Sequence, residues 1–152
     1  MRGSIGTVRH AYVEFVPALG TQRFDAIALT LYVTGLMETP VQVSVLGGHS
    51  GQREKGPSVP QHVIVTVHYA GGRSIVVAPS GQPRPGIVRG TSGAIELIGN
   101  ADEQAGTSHW VDPIHNGPTI ADYAAIELRA ADILERAGAA WRTATCSPNR
   151  AA

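Results

Sequence analysis

Residues 23–36, RFDAIALTLYVTGL, restrict the fold of this chain more than any other segment, because they are apolar almost throughout. The pattern predicts a helix over 24–34, with Gly35 as the residue that ends it. Apolar side chains recur on nearly every side of this helix, at Phe24, Ile27, Ala28, Leu31, Tyr32 and Leu36. A helix with almost no polar face has to be buried, and we expect it to pack against a sheet.

Segments typical of strands lie on both sides of this helix. Residues 8–16 alternate between apolar and polar side chains and are rich in aromatic and β-branched residues, which predicts a strand. After the helix, five further segments predict strands at 41–46, 61–69, 73–78, 86–90 and 94–98. Between the second and third of these, the sequence AGG predicts a hairpin turn.

A second helix is predicted from Thr119, its N-cap, to Gly138, which ends it. Its apolar side chains recur at three- and four-residue steps and form one stripe, made of Tyr123, Ile126, Ala130, Ile133 and Ala137. Asp132 and Arg136 lie one helical turn apart, so we expect an ion pair between them.

The order of these elements predicts an α+β fold, with a mostly antiparallel, open-faced sheet and helices packed on one face. We expect a single domain over 1–140 and a flexible tail over 141–152. The second face of the sheet is then a solvated surface or an oligomer interface. Mixed polar and aromatic side chains are expected on that face: His10, Tyr12, Glu14, Gln42, Ser44, His62, Thr66 and His68.

The composition argues against several classes of function. The formal net charge is zero and Lys55 is the only lysine, so the clustered basic residues of a nucleic-acid-binding protein are missing. Cys146 is the only cysteine, which rules out an internal disulfide and is typical of the reducing cytoplasm. No apolar run reaches the ~18–20 residues that a membrane span needs. We therefore expect a cytoplasmic protein that binds neither nucleic acid nor membrane.

One loop carries side chains suited to chemistry. His109, Asp112 and His115 recur every third residue in the segment 108–118, which leads into the second helix. Imidazole and carboxylate groups are ligands for zinc or iron, but the spacing fixes no metal geometry. Three interpretations stay open: a plain connecting loop, a substrate-binding loop, and, least favoured, a metal site in a small independent enzyme. We expect no bound metal ion.

Four stretches, taken in order, resemble the C-terminal domain of the Gfo/Idh/MocA oxidoreductases, the family of glucose–fructose oxidoreductase and inositol dehydrogenase. They span about residues 3–98 and read GSIGTVRHAYVEF, FDAIALTLYVTGLMETPVQVSVLGG, HVIVTVHYAGGRSIVV and IVRGTSGAIEL. The order and spacing of the four stretches carry the resemblance. It implies the same fold, an open sheet with helices on one face.

In that family, NAD(P) binds to an N-terminal Rossmann domain, and the C-terminal sheet domain supplies substrate contacts and the oligomer interface. This sequence contains no G-x-G-x-x-G motif, so we expect that the chain alone binds no cofactor and is inactive. The resemblance implies a missing Rossmann domain that carries NAD(P), either a separate partner chain or another part of a longer protein. It also implies a homo-oligomer formed through the open sheet face and a small sugar or polyol ligand. The alternative is a non-enzymatic module that binds a polyol.

The resemblance also implies where the site lies. The family has Asp, His and Asp at the start of the helix, and counting back from YVTG places these positions at Thr21, Asp25 and Ala28. If Asp25 is matched to the first Asp instead, Leu29 and Tyr32 occupy the other two positions, so neither register restores a histidine. Asp25 is therefore the candidate catalytic residue, with Thr21 and Arg23 as candidate substrate contacts. In the competing interpretation, the Asp25 carboxylate only stabilises the first turn of the helix.

Overall fold

The computed structural model describes residues 5–47, 59–97 and 120–145. Two helices and six strands make up this part of the chain: β1 (Val8–Phe15), α1 (Arg23–Thr34), β2 (Gln42–Leu46), β3 (Ile64–His68), β4 (Ser74–Pro79), β5 (Gly86–Gly90), β6 (Ala94–Leu97) and α2 (Ile120–Thr145). Each strand predicted from the sequence is present, and Ala70–Gly72 forms the tight turn that connects β3 to β4, with Gly71 and Gly72 at left-handed φ angles of 78° and 75°.

The six strands form one sheet in the order β2-β3-β4-β1-β5-β6. Only β1 and β4 run parallel, and the other four neighbouring pairs are antiparallel. The mostly antiparallel α+β fold is therefore confirmed. The parallel pair arises because the chain leaves the end of β1, forms α1, β2 and β3, and returns beside β1 as β4.

Both helices pack on the same face of the sheet. α1 contacts β1 and β4, while α2 contacts α1 and β2. The strands present alternate, apolar side chains to them, because residues two apart in a strand point to the same face. Buried sheet residues of this core include Ala11, Val13, Phe15, Val65, Val67, Ile75, Val77 and Val88.

α1 agrees closely with its prediction. It begins at Arg23, and Gly35 ends it with a left-handed φ of 71°, at which its amide donates to the carbonyl oxygen of Leu31. Thr30 is fully buried in this apolar helix, and its hydroxyl donates to the carbonyl oxygen of Ala26 at 2.7 Å. That bond satisfies a polar group which would otherwise be costly to bury.

α2 differs from its prediction at the C-terminal end. The helix continues through Gly138 to Thr145, so the predicted stop was wrong and residues 141–145, expected in a flexible tail, are helical. A glycine inside a helix costs only about 1 kcal/mol relative to alanine. Ala137 and Gly138 are buried and Trp141 is half-buried, so packing of this last part of α2 outweighs that cost.

The remaining features predicted for α2 are mostly present. Its stripe is buried at Ile126, Ala130, Ile133 and Ala137, whereas Tyr123 is 46% exposed and stacks on Tyr32 of α1 with ring centroids 6.1 Å apart. The expected pair forms between Arg136 and Asp132, at 3.1 Å. The predicted N-cap Thr119 lies outside the described residues.

Two glycine-containing stretches, far apart in the sequence, meet at one end of the sheet. The backbone around Ile5 and Thr7 is hydrogen-bonded to Thr91 and Ser92, with N–O distances of 2.9 to 3.1 Å. Gly90 lies so close to Ile5 that an added Cβ atom would be 2.0 Å from the Ile5 carbonyl oxygen. Residues 5–8 and 87–93 therefore form one structural unit.

Candidate functional site

The start of α1 holds the three candidate residues that the resemblance implied. Asp25 is exposed and is the only acid in the first turn of α1, where amide N–H groups lack helical acceptors. The N-cap residue, Gln22, makes no side-chain capping bond. The Asp25 carboxylate is therefore open to a ligand and also lies where the helix dipole favours a negative charge.

Thr21 fixes the turn that leads into α1. Its hydroxyl oxygen accepts from the amide of Val16 at 2.6 Å and donates to the Val16 carbonyl oxygen at 3.0 Å. This double contact closes the segment around the 3-10 turn Pro17–Leu19. Both bonds lie within the turn, so Thr21 sets the direction in which the chain enters α1.

Arg23 lies beside these residues, but its side chain points into the protein and is only 8% exposed. Its guanidinium donates to four carbonyl oxygens of the segment that enters β3. Nη1 donates to Val59 at 3.3 Å, and Nη2 donates to Pro60, Gln61 and Val63 at 2.9, 3.3 and 2.7 Å. A planar guanidinium suits such a cluster of acceptors.

The Arg23 guanidinium also lies over the ring of Phe15, with its central carbon 4.8 Å from the ring centroid. Burial lowers the pKa of Arg23 from its ordinary value, yet the group remains charged at neutral pH. Its Nε atom is buried without an acceptor among the described residues. Arg23 therefore joins the end of β1, the start of α1 and the entry to β3, while its role as a substrate contact stays a prediction.

The other three candidate site residues, His109, Asp112 and His115, lie outside the described residues. Within the part that the structure describes, no group of three or more His, Cys, Asp or Glu side chains is placed to hold a metal ion. Neither described helix combines the length and apolarity needed to cross a bilayer.

The face of the sheet opposite the helices, called here the open face, is a second candidate site. Its side chains stand in rows that run across the strands, because paired residues of neighbouring strands share a face. The strand register gives a basic row of Gln42, His68, Ser74, His10, Arg89 and Ala94. It also gives a central row of Ser44, Thr66, Val76, Tyr12, Ile87 and Glu96.

A third, shorter row lies beyond the central one. In it Leu46 is paired with Ile64, and Glu14 is paired with Ala78. Leu46 is 71% exposed, which is unusual for a large apolar side chain. The open face therefore changes from basic and polar at one end to partly apolar at the other.

The prediction of the open-face residues was correct for seven of the eight and wrong for His62. β3 begins at Ile64, so His62 precedes the strand. The alternation of strand side chains between the two faces of the sheet therefore does not apply to His62. Its imidazole lies edge-on to the indole of Trp141 in α2, with centroids 6.2 Å apart. This contact joins the loop before β3 to the C-terminal end of α2, so it could not be predicted from a local sequence pattern.

Hydrogen bonds order the polar side chains of the open face. Nδ1 of His10 is 2.8 Å from the Ser74 hydroxyl oxygen, and Nε2 of His68 is 3.1 Å from the Ser44 hydroxyl oxygen. Each imidazole has a second ring nitrogen for which these contacts do not account. The basic row is therefore held in place and keeps hydrogen-bonding capacity for a further group.

Tyr12 and Glu14 form a contact within β1. The Tyr12 hydroxyl donates to Oε1 of Glu14 at 2.9 Å, whereas Oε2 is buried without a donor among the described residues. Burial raises the pKa of Tyr12; the bond to Glu14 and its negative charge act in the same direction, and Arg84 acts against them. Glu14 is thus a carboxylate with unused acceptor capacity on the open face.

A charged cluster that the sequence did not predict lies on the helical side, around Tyr69. Arg73 pairs with Glu38 across the end of the β3–β4 hairpin, and Arg129 of α2 donates to the carbonyl oxygen of Met37. Tyr69 is 2% exposed, and its hydroxyl has no partner in the described part of the chain. Burial raises the pKa of Tyr69 to about 12, with Glu38 adding to the increase and both arginines opposing it.

Comparison with known proteins gives structural relatives only. No family model matches this chain, and no curated protein matches its sequence. A crystal structure of a presumed oxidoreductase from Bacteroides fragilis is similar with a TM-score of 0.54 and 16% identity. The structure of UDP-N-acetylglucosamine 3-dehydrogenase from Acidithiobacillus ferrooxidans is similar with a TM-score of 0.51 and 15% identity.

The likeness covers nearly all of this chain and only part of each neighbour. It includes 93% and 91% of this chain, but 55% and 56% of the Bacteroides and Acidithiobacillus chains. At this level of identity the comparison establishes the fold alone. This chain therefore has the fold of part of these larger proteins, which confirms the architecture that the resemblance implied.

Proposed function

We propose that this chain is the sheet domain of a Gfo/Idh/MocA-like dehydrogenase, which contacts a sugar or polyol substrate and associates with a second copy through the open face. The observation that carries the proposal is the match of almost the whole fold to just over half of two larger proteins, one of them a sugar-nucleotide dehydrogenase. A sheet domain alone supplies no hydride carrier.

In this proposal NAD(P) is bound by a Rossmann domain outside this sequence, on the same polypeptide or on a partner chain, and the assembled enzyme works in the cytoplasm, where the single Cys146 stays reduced. The contribution of this chain is to bind and orient the substrate. The exposed carboxylate of Asp25 accepts hydrogen bonds from substrate hydroxyl groups, and the turn held by Thr21 fixes where α1 presents it. The loop with His109, Asp112 and His115 is proposed to contact the same ligand.

The open face supports the association part of the proposal. It spans six strands, and no helix of the described chain covers it. Val76 and Thr66, at the centre of the central row, are only partly exposed, whereas Leu46 at the rim is largely exposed. A sheet face that no other element of its own chain covers is suited to packing against the same face of a second copy.

Light scattering after size-exclusion chromatography tests the association. The parent chain is expected to elute as a dimer or larger oligomer. Val76→Arg, which places a charge at the centre of the open face, is expected to give a monomer. The matched control is Leu128→Arg on α2, because Leu128 is 73% exposed on the helical side. A monomeric parent at high protein concentration contradicts this part of the proposal.

A thermal-shift screen tests the ligand. Sugars, cyclitols and NAD(P)H are added separately and in pairs to the parent and to Asp25→Asn. The proposal expects stabilisation by a sugar or cyclitol that Asp25→Asn reduces, and no stabilisation by NAD(P)H alone. Supplying a Rossmann-domain partner with NAD(P)H is expected to restore turnover of that ligand. Sugar binding that no partner converts into turnover favours a non-enzymatic polyol-binding module instead.

A further inference from the structure

Arg23 and Asp25 are both candidate substrate contacts, but α1 places their side chains on opposite sides of the helix. Arg23 is the first residue of α1, and Asp25 follows two positions later. At 3.6 residues per turn, side chains two positions apart point roughly 200° apart around the helix axis. Arg23 is 8% exposed, whereas Asp25 is exposed. One ligand at the start of α1 can therefore contact the Asp25 carboxylate but not the Arg23 guanidinium.

Arg23 belongs to the buried stripe of α1. The buried residues of this helix recur at three- and four-residue steps and are Arg23, Ala26, Ile27, Thr30 and Leu31. Such a stripe is the side of a helix that packs against the core, and α1 packs against β1 and β4. A buried cation is strongly unfavourable unless acceptors surround it. Whether this side of the first turn stays buried therefore depends on the partners of the guanidinium.

The guanidinium is the point at which three segments of the chain meet. Its terminal nitrogens lie 2.7 to 3.3 Å from the carbonyl oxygens of Val59, Pro60, Gln61 and Val63. Its central carbon lies 4.8 Å from the centroid of the Phe15 ring, at the end of β1. All four acceptors are backbone atoms, so the planar fork of Arg23 holds the chain itself and not side chains that can rotate away. The first turn of α1 is thereby fixed to β1 and to the entry of β3.

The first turn of α1 has little else to hold it in this orientation. Gln22, the N-cap residue, makes no side-chain capping bond. Thr21 bonds to Val16, within the preceding turn, and does not reach β3. The first turn of a helix lacks internal partners for its amides and frays readily. The contacts of Arg23 therefore restrain both the position and the rotation of the turn that carries Asp25.

We propose that Arg23 is a positioning residue, whose guanidinium sets the rotation of the first turn of α1 and so directs the Asp25 carboxylate outward to the ligand. Arg23 itself does not contact the substrate. This inference rests on the proposed function of Asp25 and identifies the residue that orients it. Such support matters, because a binding group displaced by about 1 Å loses much of its effect.

A nitroxide spin label at position 25 tests the positioning without any ligand. Asp25→Cys is made together with Cys146→Ser, so that one cysteine is left to label. The spectrum is recorded with Arg23 intact and with Arg23→Lys or Arg23→Met. The lysine keeps the charge and the methionine keeps a long apolar side chain, but neither has the planar fork. Both are expected to shorten the rotational correlation time of the label by about twofold or more.

The control label is attached through Glu127→Cys, because Glu127 is exposed on α2, away from the first turn of α1. Its spectrum is expected to be the same with and without the changes at Arg23. Circular dichroism of each labelled variant establishes that the helices and the sheet are intact. A general loosening of the chain would alter both labels, whereas loss of positioning alters the label at position 25 alone.

Ligand affinity gives a second measurement. Calorimetry with glucose and with myo-inositol measures the dissociation constants of the parent, Asp25→Asn and Arg23→Lys. For a probe whose binding Asp25→Asn weakens, Arg23→Lys is expected to raise the dissociation constant about tenfold. The matched control is Val88→Ala, which truncates a fully buried side chain in β5 and lowers stability without altering the start of α1. It is expected to change the dissociation constant less than about threefold.

The two measurements separate failure of this inference from failure of the proposed function. An unchanged spectrum at position 25, or a dissociation constant of Arg23→Lys that matches that of Val88→Ala, overturns the positioning role and leaves the proposed function of Asp25 standing. If the parent and Asp25→Asn bind the probes alike, or not at all, the proposed ligand role of Asp25 fails. Altered spectra in the Arg23 variants then still establish that Arg23 orients the first turn of α1.

Discussion

Gly90 and Ile5 approach each other so closely that a Cβ atom on Gly90 would lie 2.0 Å from the Ile5 carbonyl oxygen and 2.8 Å from its carbonyl carbon. Both contacts are to backbone, which cannot turn away as a flexible side chain does. The neighbouring amides of Thr91 and Ser92 donate to Thr7 and Ile5 across the same crossing. The N-terminal segment is therefore held against the β5–β6 turn by a contact that only glycine allows.

Gly90→Ala is expected to lower the free energy of unfolding by about 2–4 kcal/mol, because the N-terminal segment has to move away from β5. Urea denaturation followed by circular dichroism measures the change. Gly81→Ala is the matched control: an added Cβ there meets nothing within 4 Å, and the backbone of Gly81 is not left-handed. Equal effects of the two substitutions would contradict the close approach.

Arg23→Lys is expected to destabilise the chain by about 2–4 kcal/mol, although it preserves the charge. A lysine ammonium cannot reach the four carbonyl oxygens that the guanidinium contacts, so a buried cation loses acceptors. The control is Arg9→Lys, since Arg9 is exposed and makes one contact of 3.4 Å, to the carbonyl oxygen of Gly71. Chemical denaturation of both variants measures the difference. A loss below about 0.5 kcal/mol for Arg23→Lys would show that the carbonyl cluster contributes little.

Tyr69→Phe is expected to change alkaline stability. The pKa of Tyr69 is about 12 in the folded chain and about 10 when unfolded. Ionisation therefore favours the unfolded chain, so stability is fully present below pH ~10 and is lost as the pH rises towards 12. The phenylalanine variant is expected to lose less stability in this range. At pH 7 it is expected to be as stable as the parent or slightly more stable, because it removes a buried hydroxyl without a partner.

Denaturation midpoints measured from pH 7 to 12 check this outcome for Tyr69→Phe. Tyr123→Phe is the control, because Tyr123 is 46% exposed and stacks at the surface on Tyr32. That variant is expected to keep the alkaline loss of stability seen in the parent. The interpretation fails if both substitutions flatten the pH profile equally.

Asp25→Asn separates the structural and functional interpretations of Asp25. Loss of a carboxylate from the first turn of α1 is expected to cost about 0.3–1 kcal/mol at low ionic strength, and less in 1 M salt. Glu127→Gln removes an exposed carboxylate from the interior of α2 and is expected to cost less than this. Unfolding at two salt concentrations measures both variants. If a sugar raises the melting temperature of Asp25→Asn less than that of the parent, and Glu127→Gln responds like the parent, Asp25 has a functional role in addition to the structural one.

Much of this fold follows from local sequence patterns. The apolar segment that becomes α1, its end at Gly35, the six strands and the stripe of α2 each rest on a periodicity read within a dozen residues. The pair Asp132–Arg136 is likewise fixed by one turn of helix. These features are predictable because the geometry of one element places its side chains.

Tertiary structure decided the features that depend on residues far apart in the chain. The sequence offered Arg23 only as a candidate substrate contact. Its side chain is buried because four carbonyl oxygens, thirty-six to forty residues later in the chain, accept its hydrogen bonds. α2 continues through Gly138 because the burial of its last turns offsets the low helix propensity of glycine. His62 contacts Trp141 of α2 and does not belong to the open face. The sequence by itself determined which segments are helices and strands. Only the tertiary structure decided which polar groups are buried and which face of the sheet stays open. The physical reason is that a buried polar group needs hydrogen-bond partners, and segments distant in the sequence supply them.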